Sequence, residues 1–191
     1  MDKRFSLASR LIHWAIAFTF LYLLLTVLLR LGWMNKGQMG GIIQSSLENE
    51  GMIIDNDLAG KIGKDVRRPM WNTHTIAGYV LCGLFIIRMV ITRVQGAAFY
   101  SPLKGGLTGY QRFRSWVYVL FYVFTATSLL TGLIIKFGPD SIHDINEEIH
   151  KLSLYYMVAF IGLHLVGVVA ADGDKERGII SKIISGEGAR V

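Results

Sequence analysis

The sequence predicts an all-α integral membrane protein, a bundle of four spanning helices. Three observations carry that prediction. Of the 191 residues, 52% are hydrophobic and only 18% are charged, and mean hydropathy is positive. Apolar runs long enough to cross a hydrocarbon core of about 30 Å as helices occur four times. The four tryptophans, Trp14, Trp33, Trp71 and Trp116, fall near the ends of those runs, where an amphipathic ring prefers the headgroup zone.

The first span, residues 11–29, follows "SRLIHW" and holds no charged side chain. Its 19 residues are too long for a signal-peptide core and no small-residue cleavage site follows, so it reads as retained. Residues 33–70 form a long, Gly-rich, charge-balanced outer connection. The second span, 75–92, carries one charge, Arg88, near enough to its end for the side chain to reach the interface. Residues 93–114 contain Arg93, Lys104, Arg112 and Arg114 and no acid. The third span covers 116–135, an acidic connection covers 136–151, and the fourth span covers 152–171. Four spans put both termini on one side. That side, tails plus second connection, holds 11 Lys and Arg against 7 in the other two connections, which predicts cytoplasmic termini in a bacterial inner membrane.

The net charge of +6 is spread between apolar runs and forms no continuous stripe, which argues for anionic lipid and against nucleic acid. Cys82 is the single cysteine. An internal disulfide, a CxxC metal knuckle and a covalent CxxCH haem attachment are thereby excluded.

Four of the five histidines belong to the spans: His13 opens the first, His74 the second, His150 the fourth, and His164 lies inside the fourth. Ionisable residues at membrane depth are costly and usually functional. Helices one and two enter from opposite faces, which puts His13 near the inner side and His74 near the outer. Helix four then supplies a partner at each level, since His164 lies 14 residues beyond His150, about 21 Å along a helix and within about 40° of the same face. The expected pairs are His13 with His164 and His74 with His150. Zinc would want three or four donors at one depth. Two opposed imidazoles in an apolar pocket suit the two axial positions of a haem iron. Gly78, Gly162 and Gly167 beside these ligands leave room for a macrocycle. Arg10, one turn before His13, and Arg88, 14 residues after His74, are candidate partners for haem propionates. Arg30, turned about 100° from His13, reads as an outer-interface anchor.

In this order the motifs "RLIHW", "HTIAGYVLCGLFIIRMVITR" and "EEIHKLSLYYMVAFIGLH" resemble the bacterial cytochrome b561 and nickel-hydrogenase b-type cytochrome family. The resemblance covers nearly the whole chain. It implies two non-covalent haem b groups ligated by His13, His74, His150 and His164, and electron transfer between the quinone pool and another donor or acceptor. Some relatives serve as membrane subunits of a hydrogenase or another periplasmic redox enzyme; others work alone, including as superoxide-quinone oxidoreductases. The 33–70 connection is longer than in compact members, which suggests a docking surface. No sequence feature identifies the quinone site. His143, in the acidic outer connection, reads as a surface histidine. The rival from another class is a cofactor-free proton or ion transporter with a histidine relay, although these spans lack the intramembrane acids and broken helices such proteins tend to carry.

Overall fold

The structure, a computed structural model, describes residues 6–94, 101–173 and 178–186. The tails that enter the charge count, and residues 95–100 of the second connection, lie outside or partly outside the described residues. The described chain is helical, in the order α1 (Leu7–Leu31), α2 (Lys36–Asn49), α3 (Asn56–Val94), α4 (Gly109–Phe137), a 3-10 turn (Asp140–Ile142), α5 (His143–Lys151), α6 (Ser153–Gly173) and α7 (Ile179–Ile184). Among the described residues four helical stretches are long and apolar enough to span a membrane: α1, α3, α4, and the stretch Asp140–Gly173. The protein is therefore an all-α membrane protein.

Large apolar side chains are exposed on all four, among them Leu25, Ile87, Leu130 and Val166, while the buried set is rich in small polar residues such as Ser9, Thr26, Ser115, Thr125 and Thr131. That inversion suits a lipid solvent, in which polar groups must be satisfied within the protein. Thr92, Ser115 and Thr131 each turn the hydroxyl back onto the carbonyl four residues earlier, satisfying themselves inside one helix. The entry to α4 is fixed by a capping box, in which Thr108 accepts from the Gln111 backbone and the Gln111 side chain accepts from that of Thr108.

The chain divides into two compact units: residues 17–81, and residues 1–16 with 82–191. In the first, the segment 33–70 differs from its reading as a plain connection. It folds into α2 and the N-terminal half of α3. Asn35 caps α2 by accepting from the Gly37 N–H at 2.9 Å, Gly51 turns the chain at φ +75°, and Asp55 opens α3 by accepting from the Leu58 N–H at 2.7 Å. The Gln44 amide donates to the Ile54 carbonyl at 3.0 Å and closes the turn. Its glycines are contact residues. A Cβ on Gly63 would lie 2.4 Å from the Lys36 carbonyl, and one on Gly40 would lie 2.7 Å from that of Ala59. The two backbones touch because those side chains are absent.

At 39 residues, α3 is about 58 Å long at 1.5 Å per residue, roughly twice the hydrocarbon thickness. Its polar N-terminal half is length beyond what a span needs, and its apolar half contains the expected second span.

In the other unit α4 packs on α5 and α6, and α6 on α7. The sequence predicts one helix carrying both His150 and His164. Instead, Leu152 separates α5 from α6: its N–H bonds to the His150 and Ile149 carbonyls and its own carbonyl takes the Tyr155 N–H at 3.1 Å. This tightened turn means that the facing of the two histidines no longer follows from a uniform 100° per residue.

Candidate functional site

The unit containing both chain ends brings two of the four membrane histidines together. The rings of His13 on α1 and His164 on α6 have centroids 6.0 Å apart and planes inclined by 46°. Trp14 stands edge-on to His13 at 5.6 Å. Phe160, one turn before His164, stacks on its ring at 5.6 Å, and Phe121 of α4 stacks on Phe160 at 4.3 Å. The aromatic column restrains the His164 ring.

Both candidate cationic residues lie in this unit. Arg88 donates from Nη1 to the Ser9 hydroxyl at 3.0 Å, reaching the first turn of α1 one turn before His13. Arg10 donates from Nη1 to the Ile184 carbonyl at 3.3 Å, and Trp14 donates from Nε1 to the Ile183 carbonyl at 3.2 Å, so together they hold the end of α7. The Nε of Arg10 is buried without a protein acceptor.

His150 lies in the same unit on α5. Its Nδ1 is 3.0 Å from the Ser128 carbonyl, an acceptor only, and therefore carries the proton. The Thr131 hydroxyl donates to the carbonyls of Thr127 and Ser128, leaving its oxygen to accept from the same Nδ1–H at 3.2 Å. The lone pair is left on Nε2. Gly132 makes this approach possible, because a Cβ there would stand 3.1 Å from His150 Cε1.

His74 belongs to the other unit and is prepared in the same way by different residues. Its Nδ1 lies 2.7 Å from the Thr26 hydroxyl, which itself donates to the Leu23 carbonyl at 2.7 Å and is 1% exposed. The imidazole is therefore the donor, and again the lone pair sits on Nε2. Trp71 stacks on the ring with centroids 4.5 Å apart and planes 3° from parallel. Arg30 covers the Trp71 ring with its guanidinium carbon 4.2 Å from the centroid. One residue away from His74, the Tyr22 hydroxyl donates to Thr73 at 2.5 Å.

Among the described residues no three His, Cys, Asp or Glu side chains converge as a bare ion would require. Two imidazoles on opposite sides of one iron, each with a metal–nitrogen bond of about 2 Å and a ring centre about 1 Å further out, stand about 6 Å apart. The His13–His164 separation fits that spacing. Gly162 and Gly167, flanking His164, and Gly78, one turn after His74, are positions where an added Cβ would meet nothing within 4 Å, so close helix packing does not explain them. His143 pairs only with its neighbour Asp144 at 3.3 Å and joins no cluster.

Comparison with known families decides the identity, since a family model described as prokaryotic cytochrome b561 matches residues 4–186. The chain belongs to the prokaryotic cytochrome b561 family. No curated protein and no solved structure matches it significantly. This cytochrome is thus a membrane protein of electron transfer that binds b-type haem, held without covalent attachment because the single cysteine forms no CxxCH motif. Its residues fit such a group: opposed imidazoles, tautomers fixed by outer partners, and a buried Arg10 donor suited to a carboxylate.

The cytochrome's outer partners were not legible in the sequence. Thr26, Thr131 and Ser128 look like any hydroxyl residues of a membrane helix, and the Ser128 contribution is a backbone carbonyl, which has no sequence signal. Gly132 could have been flagged as a small residue 18 positions before a membrane histidine, but only packing shows which ring it admits. Gly132→Ala should leave the helix intact or slightly firmer, alanine being the better helix former by about 0.5–1 kcal/mol. It should nevertheless displace His150 and, where that ring ligates haem, loosen the group by about 10–100-fold, the usual cost of losing a partner of a metal-ligating histidine. Haem transfer to a soluble apo-acceptor measures this; equal retention in variant and wild type would show that the close contact is immaterial.

Proposed function

We propose that the protein is a dihaem cytochrome that moves electrons between the quinone pool and a redox partner, with His13 and His164 holding one haem and His74 and His150 the other. The observation that carries this reading is the 6.0 Å approach of His13 and His164. It is supported by the common preparation of His74 and His150, each donating from Nδ1. When bound, a b-type haem supplies a reversible one-electron couple. The chain's residues supply the rest. Thr26, the Ser128 carbonyl and Thr131 keep the ligating nitrogens basic and oriented. The aromatic column of Phe121 and Phe160 restrains His164. Arg10 and Arg88 offer positive charge to the propionates of the haem near the face that carries both termini. The pairing of His74 with His150 rests on the depth argument from the sequence.

The purified protein should show a reduced-minus-oxidised b-type spectrum with about two haems per chain and reduction by quinol. A colourless, porphyrin-free preparation would leave a histidine-relay transporter as the better reading. The partner is a redox protein or enzyme subunit on the outer face, met by α2 and the outer half of α3, as in a hydrogenase-type assembly, whereas a free-standing superoxide-quinone oxidoreductase would need no such partner.

The charge asymmetry predicts that a reporter fused after Val191 is cytoplasmic and one inserted between α2 and α3 is external. Labelling of single cysteines from each side of sealed vesicles gives the same information, and an external C-terminus would exchange the faces assigned to the two haems.

A further inference from the structure

Three side chains of one unit form a continuous stack: the Arg30 guanidinium lies 4.2 Å over Trp71, and Trp71 lies 4.5 Å from His74 and 3° from parallel with it. A fourth, Thr26, fixes the edge of the same imidazole through its Nδ1 at 2.7 Å. A ring held flat against an indole and bonded at one edge cannot rotate about its own axis, whereas either restraint alone would allow it.

We infer that Arg30 and Trp71 are positioning and potential-setting residues for the haem that His74 ligates: the indole fixes the plane of the ligand, and the guanidinium places a permanent positive charge beside it. The inference rests on the proposed role of His74. Arginine stays protonated at any accessible pH, and the stack puts its charge within about 9 Å of the imidazole, where interior screening leaves the interaction appreciable. Reduction adds one electron to the site, and a nearby cation stabilises the reduced form more than the oxidised one. The wild-type arrangement therefore raises the potential of this haem relative to one lacking the cation. Trp71, placed like an ordinary interfacial tryptophan, carries the effect because its indole face holds the guanidinium on one side and the imidazole on the other.

The test is a potentiometric titration of the purified holoprotein in detergent, with haem content and low-spin ferric resonance signals recorded for each variant. His74→Ala identifies the haem concerned by removing it or making it high-spin. Arg30→Gln should then lower the midpoint of that haem by about a tenfold change in its one-electron equilibrium, which is 59 mV, and leave the other unmoved. Arg30→Lys should restore most of the shift. Trp71→Leu should alter the low-spin signal of that haem, since its ligand plane is no longer fixed, at unchanged haem content. An Arg30→Gln protein with both haems present and both midpoints as in wild type overturns the inference while leaving the ligand assignment standing. Should His74→Ala disturb neither haem, the assignment itself fails and this inference with it.

Discussion

Replacing His150 and His164 together by alanine should leave a protein without specifically bound haem, whereas replacing His13 and His164 should leave one haem low-spin and intact. The asymmetry follows from where the four imidazoles sit. His164 stands 6.0 Å from His13, so both members of the second double variant belong to one proposed site and nothing would be subtracted from the other. The stretch from Asp140 to Gly173, by contrast, carries one proposed ligand for each haem. Single variants should agree: His13→Ala and His164→Ala perturb the same haem, His74→Ala and His150→Ala the other. Each loss is large because a non-covalent haem with one axial ligand removed retains only apolar contact and its propionate partners. Haem-to-protein ratios and low-spin signals give the answer. If His13→Ala and His74→Ala disturb one and the same haem, the pairing is wrong.

Removal of most of the helical hairpin, residues 38–64 replaced by a short Gly-Ser linker, should leave the proposed haems bound and abolish most electron exchange with the proposed redox partner. The hairpin makes its own contacts, Gly40 on Ala59 and Gly63 on the Lys36 carbonyl. The groups that prepare His74 are Thr26, Trp71 and Arg30, all outside the deleted stretch. Loss of the hairpin thus costs no ligand and no outer partner. What it removes is a folded projection with exposed Ile42, Met52, Ile53 and Leu58, a surface suited to a protein partner. Quinone-linked turnover in complete membranes should fall at least tenfold while purified haem content is unchanged. Undiminished turnover would remove the docking role.

The four spans were legible because a bilayer imposes length and apolarity on any helix that crosses it: 11–29, 75–92 and 116–135 each fall within a described helix, and 152–171 falls within α6 apart from Leu152 at its start. The approach of His13 to His164 was legible for a related reason: antiparallel spans fix depth, and only a few polar residues occur at each depth. The hairpin was not. Its glycines read as signals for irregular chain, and the same residues serve a helix pair whose backbones must touch. Nothing local distinguishes a glycine that loosens a turn from one that admits a neighbouring carbonyl. The interruption at Leu152 was also hidden, since leucine is a good helix former and the tightened turn comes from the bonding of its neighbours. Arg30 illustrates a further limit: an angular offset from His13 describes one helix, but the residue Arg30 covers, Trp71, comes from another.

The length of α3 gives the hairpin a mechanical meaning. Residues 56 to 81 form one continuous helix whose N-terminal end belongs to the hairpin proposed for docking and whose C-terminal part bears Trp71 and His74. An α-helix resists twisting about its axis far better than a flexible tether does, so a partner bound as proposed would act on the indole and imidazole through this helix, while Arg30 and Thr26 belong to α1. The rod has one compliant joint. Pro69, two residues before Trp71, has no N–H to give the Asp65 carbonyl, so whatever the hairpin end transmits reaches the stack through a softened turn. In the proposed function, partner attachment and the His74 stack would thus lie at the two ends of one torsional element.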